Sequence, residues 1–278
     1  MEVVLFLGVG LVLLVAVVRL GLPALLRRFG LHRPYRGEAY ALPGKRALII
    51  TTSHDRLGDT GKPTGVFASE MTVPYYEFLD AGMEVDIASV KGGHVPIEAD
   101  SLRWPLATDA DRRYLADPAF RAKTDASHPI TEVDIAAYDI VFLAGGWGAA
   151  YDLGTSEVLG TQISRAWAAG KVVGGVCHGP LGLLKAVDTD GQPLVKGRTL
   201  TAVTDRQISQ LGIVHTPMHP ERDLRAAGSD FRSRRAVFDI FADLTVEDGR
   251  LVTGQNQNAG AETAHKMMRA AGGRPRQS

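Results

Sequence analysis

Short β-branched runs alternate with helix-like stripes along most of this chain, after a long apolar start. Residues 3–18 carry no charge and are mostly Leu and Val; Arg19 then interrupts, and the apolar run resumes over 20–26 around Pro23. Sixteen residues reach about 24 Å at helical rise, a little short of a hydrocarbon core. A snorkelling Arg19 allows extension to Leu26. The opening Met1-Glu2 lacks the basic start of a secretory signal, and no small-residue cleavage site follows. The bases come afterwards, at Arg19, Arg27, Arg28, Arg33 and Arg36. By the positive-inside rule this predicts an uncleaved single-pass membrane anchor over 1–30, with the C-terminal domain cytoplasmic. Residues 31–45, rich in Pro, Gly and basic groups, read as a juxtamembrane linker, and 273–278 as a frayed tail.

Between them, over 46–272, the pattern is that of one α/β domain. Buried strands are expected at RALIIT (46–51), EVDIAS (84–89), YDIVFL (138–143), KVVGGV (171–176) and 199–203, and a hairpin over 243–252 turning at Asp248-Gly249. Helices are expected over 66–81, 155–169 and 261–271, and one opening after Pro180. Phe67, Met71, Pro74 and Phe78 mark the inner stripe of the first, which places Glu70 on or beside an apolar face. The proline-interrupted stretch 92–120 reads as loop, a lid or subunit contact. Strands alternating with helices argue for a mainly parallel sheet covered on both faces.

Composition narrows the chemistry. The 278 residues are 45 % apolar with formal net charge zero, which points away from nucleic acid and polyanions. A single cysteine excludes an intrachain disulfide framework and a Cys-based zinc cage, and fits a reducing compartment. That cysteine, Cys177, stands in KVVGGVCHG where a strand should turn into a helix. Such a turn strains the nucleophile's backbone and presents it at the carboxyl edge of the sheet, facing a helix N-terminus that favours thiolate. Glu70 is the candidate desolvated acid, able to donate to that thiolate. The glycine-rich AGGWG (144–148) offers backbone N–H groups to an oxyanion. His54, His94, His128, His215 and His265 show no metal-ligand spacing and read as surface or loop histidines; no metal or cofactor is expected.

Five segments in one order, TGVFASE (64–70), VDIASVKGGHVPIEADS (85–101), AGGWGAAYDL (144–153), VCHGPLGLL (176–184) and LVTGQNQNA (251–259), resemble the ThiJ/PfpI superfamily of the class I glutamine-amidotransferase-like fold. The branch containing glyoxalase III and the holding chaperone/deglycases is the most similar. The resemblance implies a flavodoxin-like three-layer sandwich and frequent homodimers. It implies Cys177 as nucleophile, His178 beside it, Glu70 as the buried acid, and Gly145, Gly146, Trp147 and Gly148 as the oxyanion loop. Trp147 stands where that loop usually has histidine. The acid expected to orient His178 has no match: Ile208 falls at its position, and Asp205, three residues earlier, is the candidate third member. The activity implied is conversion of methylglyoxal-type aldehydes, a small reactive carbonyl partner, to hydroxy acids, or a related deglycase activity in stress protection. The alternatives are a membrane-tethered redox sensor or holding chaperone, and an amide hydrolase. His219-Pro220-Glu221 imitates the His-x-Glu pair of amidotransferases but follows Cys177 too closely, without a preceding strand, and reads as a decoy.

Overall fold

In Arg46–Thr51 (β1) Ala47 and Ile49 point to one face and Leu48 and Ile50 to the other, all fully buried, so the strand must be covered on both sides. The computed structural model describes residues 2–32 and 34–276, with side chains from residue 13 onward. β1 lies near the middle of a seven-stranded sheet with Glu84–Ser89 (β2), His128–Pro129 (β3), Ile140–Leu143 (β4), Val172–Val176 (β5), Thr245–Asp248 (β6) and Leu251–Gly254 (β7). Their order is β3-β2-β1-β4-β5-β7-β6, parallel throughout except for β6, which pairs antiparallel with β7 as the expected hairpin.

One face is covered by helices Ala68–Asp80 and Gly260–Ala270, which bring Met71, Tyr75, Phe78, Met267 and Met268 against Ile49, Phe142 and Val252. The other is covered by Glu157–Ala168, whose Leu159, Ile163 and Ala166 meet Leu48, Val141 and Leu251. This is the expected three-layer α/β sandwich, and the carboxyl ends of β1, β4 and β5 converge on one edge.

Four expectations are corrected. The stretch 92–120 is not loop: it holds helix Asp109–Ala116 and the start of Pro118–Asp125, which deliver Tyr114 and Phe120 to the core. Residues 199–203 do not join the main sheet; only Thr199–Leu200 is strand, paired with Asp230–Phe231. The end is not frayed at 274–275, which pair with Tyr40–Ala41 of the expected linker, while residues 277–278 lie outside the described residues. His265 is no surface residue: it is buried, 3.0 Å from Glu77 and stacked on Tyr35.

The membrane placement is also corrected. Residues Glu2–Phe29 are helical, but among the described residues no helix is long and apolar enough to cross a membrane. From Leu13 the apolar run lasts only to Val18 before Arg19, and Arg27 and Arg28 follow. The side chains of 3–12, on which much of the expectation rested, and Arg33 lie outside the described residues. The helix is held against the domain: the Trp104 indole donates to the Arg19 carbonyl at 3.3 Å, and the rings of Phe29 and Phe241 lie 6.0 Å apart.

Candidate active site

Cys177 follows β5 directly and sits at φ +59°, a left-handed conformation costing a non-glycine residue about 1–3 kcal/mol. Two backbone bonds hold it there: its N–H donates to the Gly254 carbonyl (3.1 Å), and its carbonyl accepts from the Val203 N–H (3.0 Å). The elbow is therefore over-determined by β7 on one side and the segment after Thr199–Leu200 on the other. Past His178 the chain makes a single 3₁₀ turn, Gly179–Leu183, instead of the expected helix, so no helix macrodipole acts on the sulfur.

Cys177 is 8 % exposed and lines a cavity of about 170 Å³, together with Phe67, Glu70, Glu98, Trp147 and His178. Glu70 reaches it from the first turn of Ala68–Asp80, fully buried beside Cys177. Burial pushes the Glu70 carboxyl well above the usual carboxylate range, against the opposing pull of Cys177 and the Gly145 N–H. Burial likewise pushes the Cys177 thiol up, and a charged Glu70 would push it further, while the Gly146 and His178 N–H groups pull it down. A protonated Glu70 is able to donate to the sulfur, whereas a charged one accepts from the thiol and holds it protonated. The expected resting thiolate is thus corrected: burial favours the thiol, opposed by the N–H groups of Gly146 and His178.

The glycine loop divides its N–H groups. Gly145 faces Glu70 so closely that an added Cβ would lie 2.5 Å from Oε2, so only glycine fits. Gly146, at φ +102°, aims its N–H at the sulfur. The Trp147 N–H donates to Glu98 Oε1 at 2.7 Å, and the Gly148 N–H to the Gly65 carbonyl at 3.1 Å. Of the four loop residues named from sequence, Gly146 alone directs a donor to Cys177.

His178 is buried with Nδ1 3.4 Å from the sulfur, while its Nε2 has no hydrogen-bond partner among the described residues. Burial, helped by nearby His219, lowers its pKa to about 3, so the ring is neutral. Its edge meets the Trp147 ring, centroids 4.7 Å apart. Asp205 does not orient it: Asp205 Oδ1 lies 3.0 Å from Nδ1 of His219, and the Asp205 N–H donates to Glu221 at 3.1 Å. His219 and Glu221 of the His-Pro-Glu tripeptide are both engaged by Asp205; none of the three lines the cavity, although His219 is near enough to His178 to act on its charge. Ile208 is buried, and its neighbour Gln207 lines the cavity instead.

Sequence reasoning missed Glu98 and Leu31. Glu98 lies within GGHVPIEADS, where an acid two residues after Pro96 was the available signal. Leu31, from the supposed linker, carries no such signal. Among the described residues no group of three or more His, Cys, Asp or Glu is placed to hold a metal ion.

A family model described as the DJ-1/PfpI family matches residues 63–270. A glutathione-independent glyoxalase of Schizosaccharomyces pombe is 28 % identical over 240 residues, covering 83 % of this chain and 97 % of that protein. Among solved structures, the Rapid Encystment Protein 24 kDa of Francisella tularensis superposes with a TM-score of 0.76 at 27 % identity, covering 82 % of this chain and 99 % of the other. Glyoxalase III of Candida albicans superposes with a TM-score of 0.71 at 25 % identity, covering 81 % and 97 %.

Proposed function

The chain belongs to the DJ-1/PfpI family, and on that premise we propose that it is a cysteine-dependent glyoxalase that needs no glutathione, converting methylglyoxal-type aldehydes to hydroxy acids. The observation that carries this reading is Cys177, held at φ +59° on the wall of a small cavity beside a buried acid whose carboxyl is pushed up by burial. The similarity to proteins named glutathione-independent glyoxalase and glyoxalase III supports it.

In this reading the thiol adds to the aldehyde carbon C1. An S–C bond forms, the carbonyl π-bond breaks, and the thiol proton passes to the new alkoxide oxygen, with His178 Nδ1 close enough to relay it. The hemithioacetal then transfers hydrogen from C1 to C2, which oxidises C1 and reduces C2 with no external redox partner. Water hydrolyses the resulting thioester and regenerates the thiol. Acid–base help typically supplies 10²–10⁴-fold, so a histidine without an orienting carboxylate belongs to a slow enzyme. A homodimer, implied by the resemblance, and deglycase action on related adducts belong to the same proposal.

The test is direct. Purified protein should convert methylglyoxal to lactate without added thiol, and Cys177→Ser should fall to the uncatalysed background. Equal consumption by the two proteins would overturn the reading.

A further inference from the structure

Three residues that line the Cys177 cavity each carry a buried polar atom with no hydrogen-bond partner among the described residues: Glu70 (Oε2), His178 (Nε2) and Gln207 (Oε1). The first two belong to the expected machinery. Gln207 does not, and its own helix has no need of the side chain. The Gln207 N–H donates to the Thr204 hydroxyl at 3.1 Å, and its carbonyl accepts the Leu211 N–H at 3.0 Å. The elbow itself fixes where this helix starts: the Cys177 carbonyl accepts the Val203 N–H at 3.0 Å, and helix Asp205–Gln210 begins two residues later. Ile208 then joins the apolar core, while Gln207 lines the cavity.

Gln207 is only 2 % exposed, and Val203, Leu211, Ile213 and Ile240 around the same cavity are apolar. An amide oxygen buried there without a partner is destabilising, and leucine or methionine would fill the space without that penalty. Its polarity points to a hydrogen bond made with a bound molecule.

The glyoxalase reading limits what that molecule offers. Methylglyoxal added to the thiol carries a hydroxyl on C1 and a carbonyl oxygen on C2. The hydroxyl forms on the carbon bonded to sulfur, beside Glu70, which is itself hydrogen-bonded to Cys177. With His178 Nδ1 3.4 Å from the sulfur and accepting its proton, Nε2 is the ring's donor and suits an acceptor such as the C2 oxygen. Gln207 Oε1 only accepts, and methylglyoxal has no second O–H to give it. A hydroxyl on C3 supplies one, within a cavity small enough, at about 170 Å³, for a three-carbon substrate to reach its walls.

We propose that Gln207 is a specificity-determining residue whose amide oxygen accepts a hydrogen bond from a substrate C3 hydroxyl, so that 3-hydroxy-2-oxoaldehydes are preferred to methylglyoxal. This rests on the glyoxalase reading and names its substrate class. The simplest member is hydroxypyruvaldehyde, which is methylglyoxal with a hydroxyl on its methyl carbon. The reaction balances as before: hydrogen passes from C1 to C2, water hydrolyses the thioester, and the product is glycerate in place of lactate. The acceptor discriminates because a substrate lacking the hydroxyl leaves it buried and unpaired.

The experiment uses the full chain and measures kcat/KM for hydroxypyruvaldehyde and for methylglyoxal, in wild type and in Gln207→Met, which keeps the side chain's length without its amide. The two aldehydes differ in intrinsic reactivity, so the readout is the ratio of the two values and its change between proteins. We expect that ratio to fall about tenfold in Gln207→Met, the worth of one hydrogen bond. A ratio within twofold of wild type would overturn the assignment and leave the glyoxalase reading standing. Product inhibition of wild type is a second test that needs no variant. Glycerate should inhibit at a concentration about fivefold lower than lactate, and equal inhibition would overturn the assignment. A wild-type protein that turns over neither aldehyde faster than Cys177→Ser would overturn the glyoxalase reading and this inference with it.

Discussion

Around Cys177 the molecule has collected ionisable groups that resist charge, and this resistance appears in its stability. His178 titrates at about 3 in the folded chain against an ordinary 6.5. A depressed folded value means the unfolded chain binds the proton first. Its contribution is therefore fully present above pH 6.5 and is lost as pH falls toward 3. Between pH 7 and 4 this amounts to about 3 kcal/mol. His32, lowered by burial to about 4, adds to the loss with the same sign. His178→Gln should therefore lose less stability than wild type over that window in urea unfolding; parallel curves would contradict the assignment. Cys177, His178 and Glu70 were legible because each stands in a pattern with a physical meaning. Two flanking glycines mark a close approach, and an acid on an apolar stripe marks desolvation. Glu98 carries no such mark, since its place on the cavity wall is set by contact between 95–98 and Val66, which no local spacing encodes.

Among elements, the strands were readable because burial on both faces writes them as β-branched runs. The helix Asp109–Ala116 was not, because it is polar and short, and prolines flank it. What makes it a helix is its cap: Thr108 Oγ1 accepts the Asp111 N–H at 3.1 Å while Asp111 Oδ2 accepts the Thr108 N–H at 2.7 Å. Asp111 is fully buried and also accepts the Thr72 hydroxyl at 2.6 Å, tying the cap to Ala68–Asp80, the helix that carries Glu70. Thr108→Ala should cost about 1 kcal/mol, some 2–4 °C in Tm for a domain of this size. Asp111→Ala should cost more, since it also leaves the Thr72 hydroxyl unpaired in the core. Equal effects in thermal melts would mean that the bond to Thr72 contributes nothing. The 3₁₀ turn after Cys177 misled in the opposite direction. Pro180 and three leucines open a helix on paper, but the chain makes only the 3₁₀ turn Gly179–Leu183.

At the scale of the whole molecule, the N-terminal segment belongs to the site. Leu31 is buried and lines the cavity beside Cys177, and the His32 N–H donates to Asn258 Oδ1 at 2.8 Å. Distance along the chain hid this; proline and basic residues over 31–45 suggested a tether, whereas Leu31 at its start forms part of the cavity wall. Leu31→Ala should widen the cavity, raising KM for methylglyoxal while improving kcat/KM for a bulkier arylglyoxal. An unchanged preference between the two substrates would show that this wall does not select them.

The edge contact between the Trp147 and His178 rings has a practical side. The chain has three tryptophans, and this one lies against the reactive sulfur's neighbour. An indole so placed reports on the site by its own emission, so filling the cavity or adding oxygen to the sulfur should alter its fluorescence in real time. With Trp104 and Trp167 replaced by phenylalanine, the protein would carry a single built-in dye at the point where its chemistry begins.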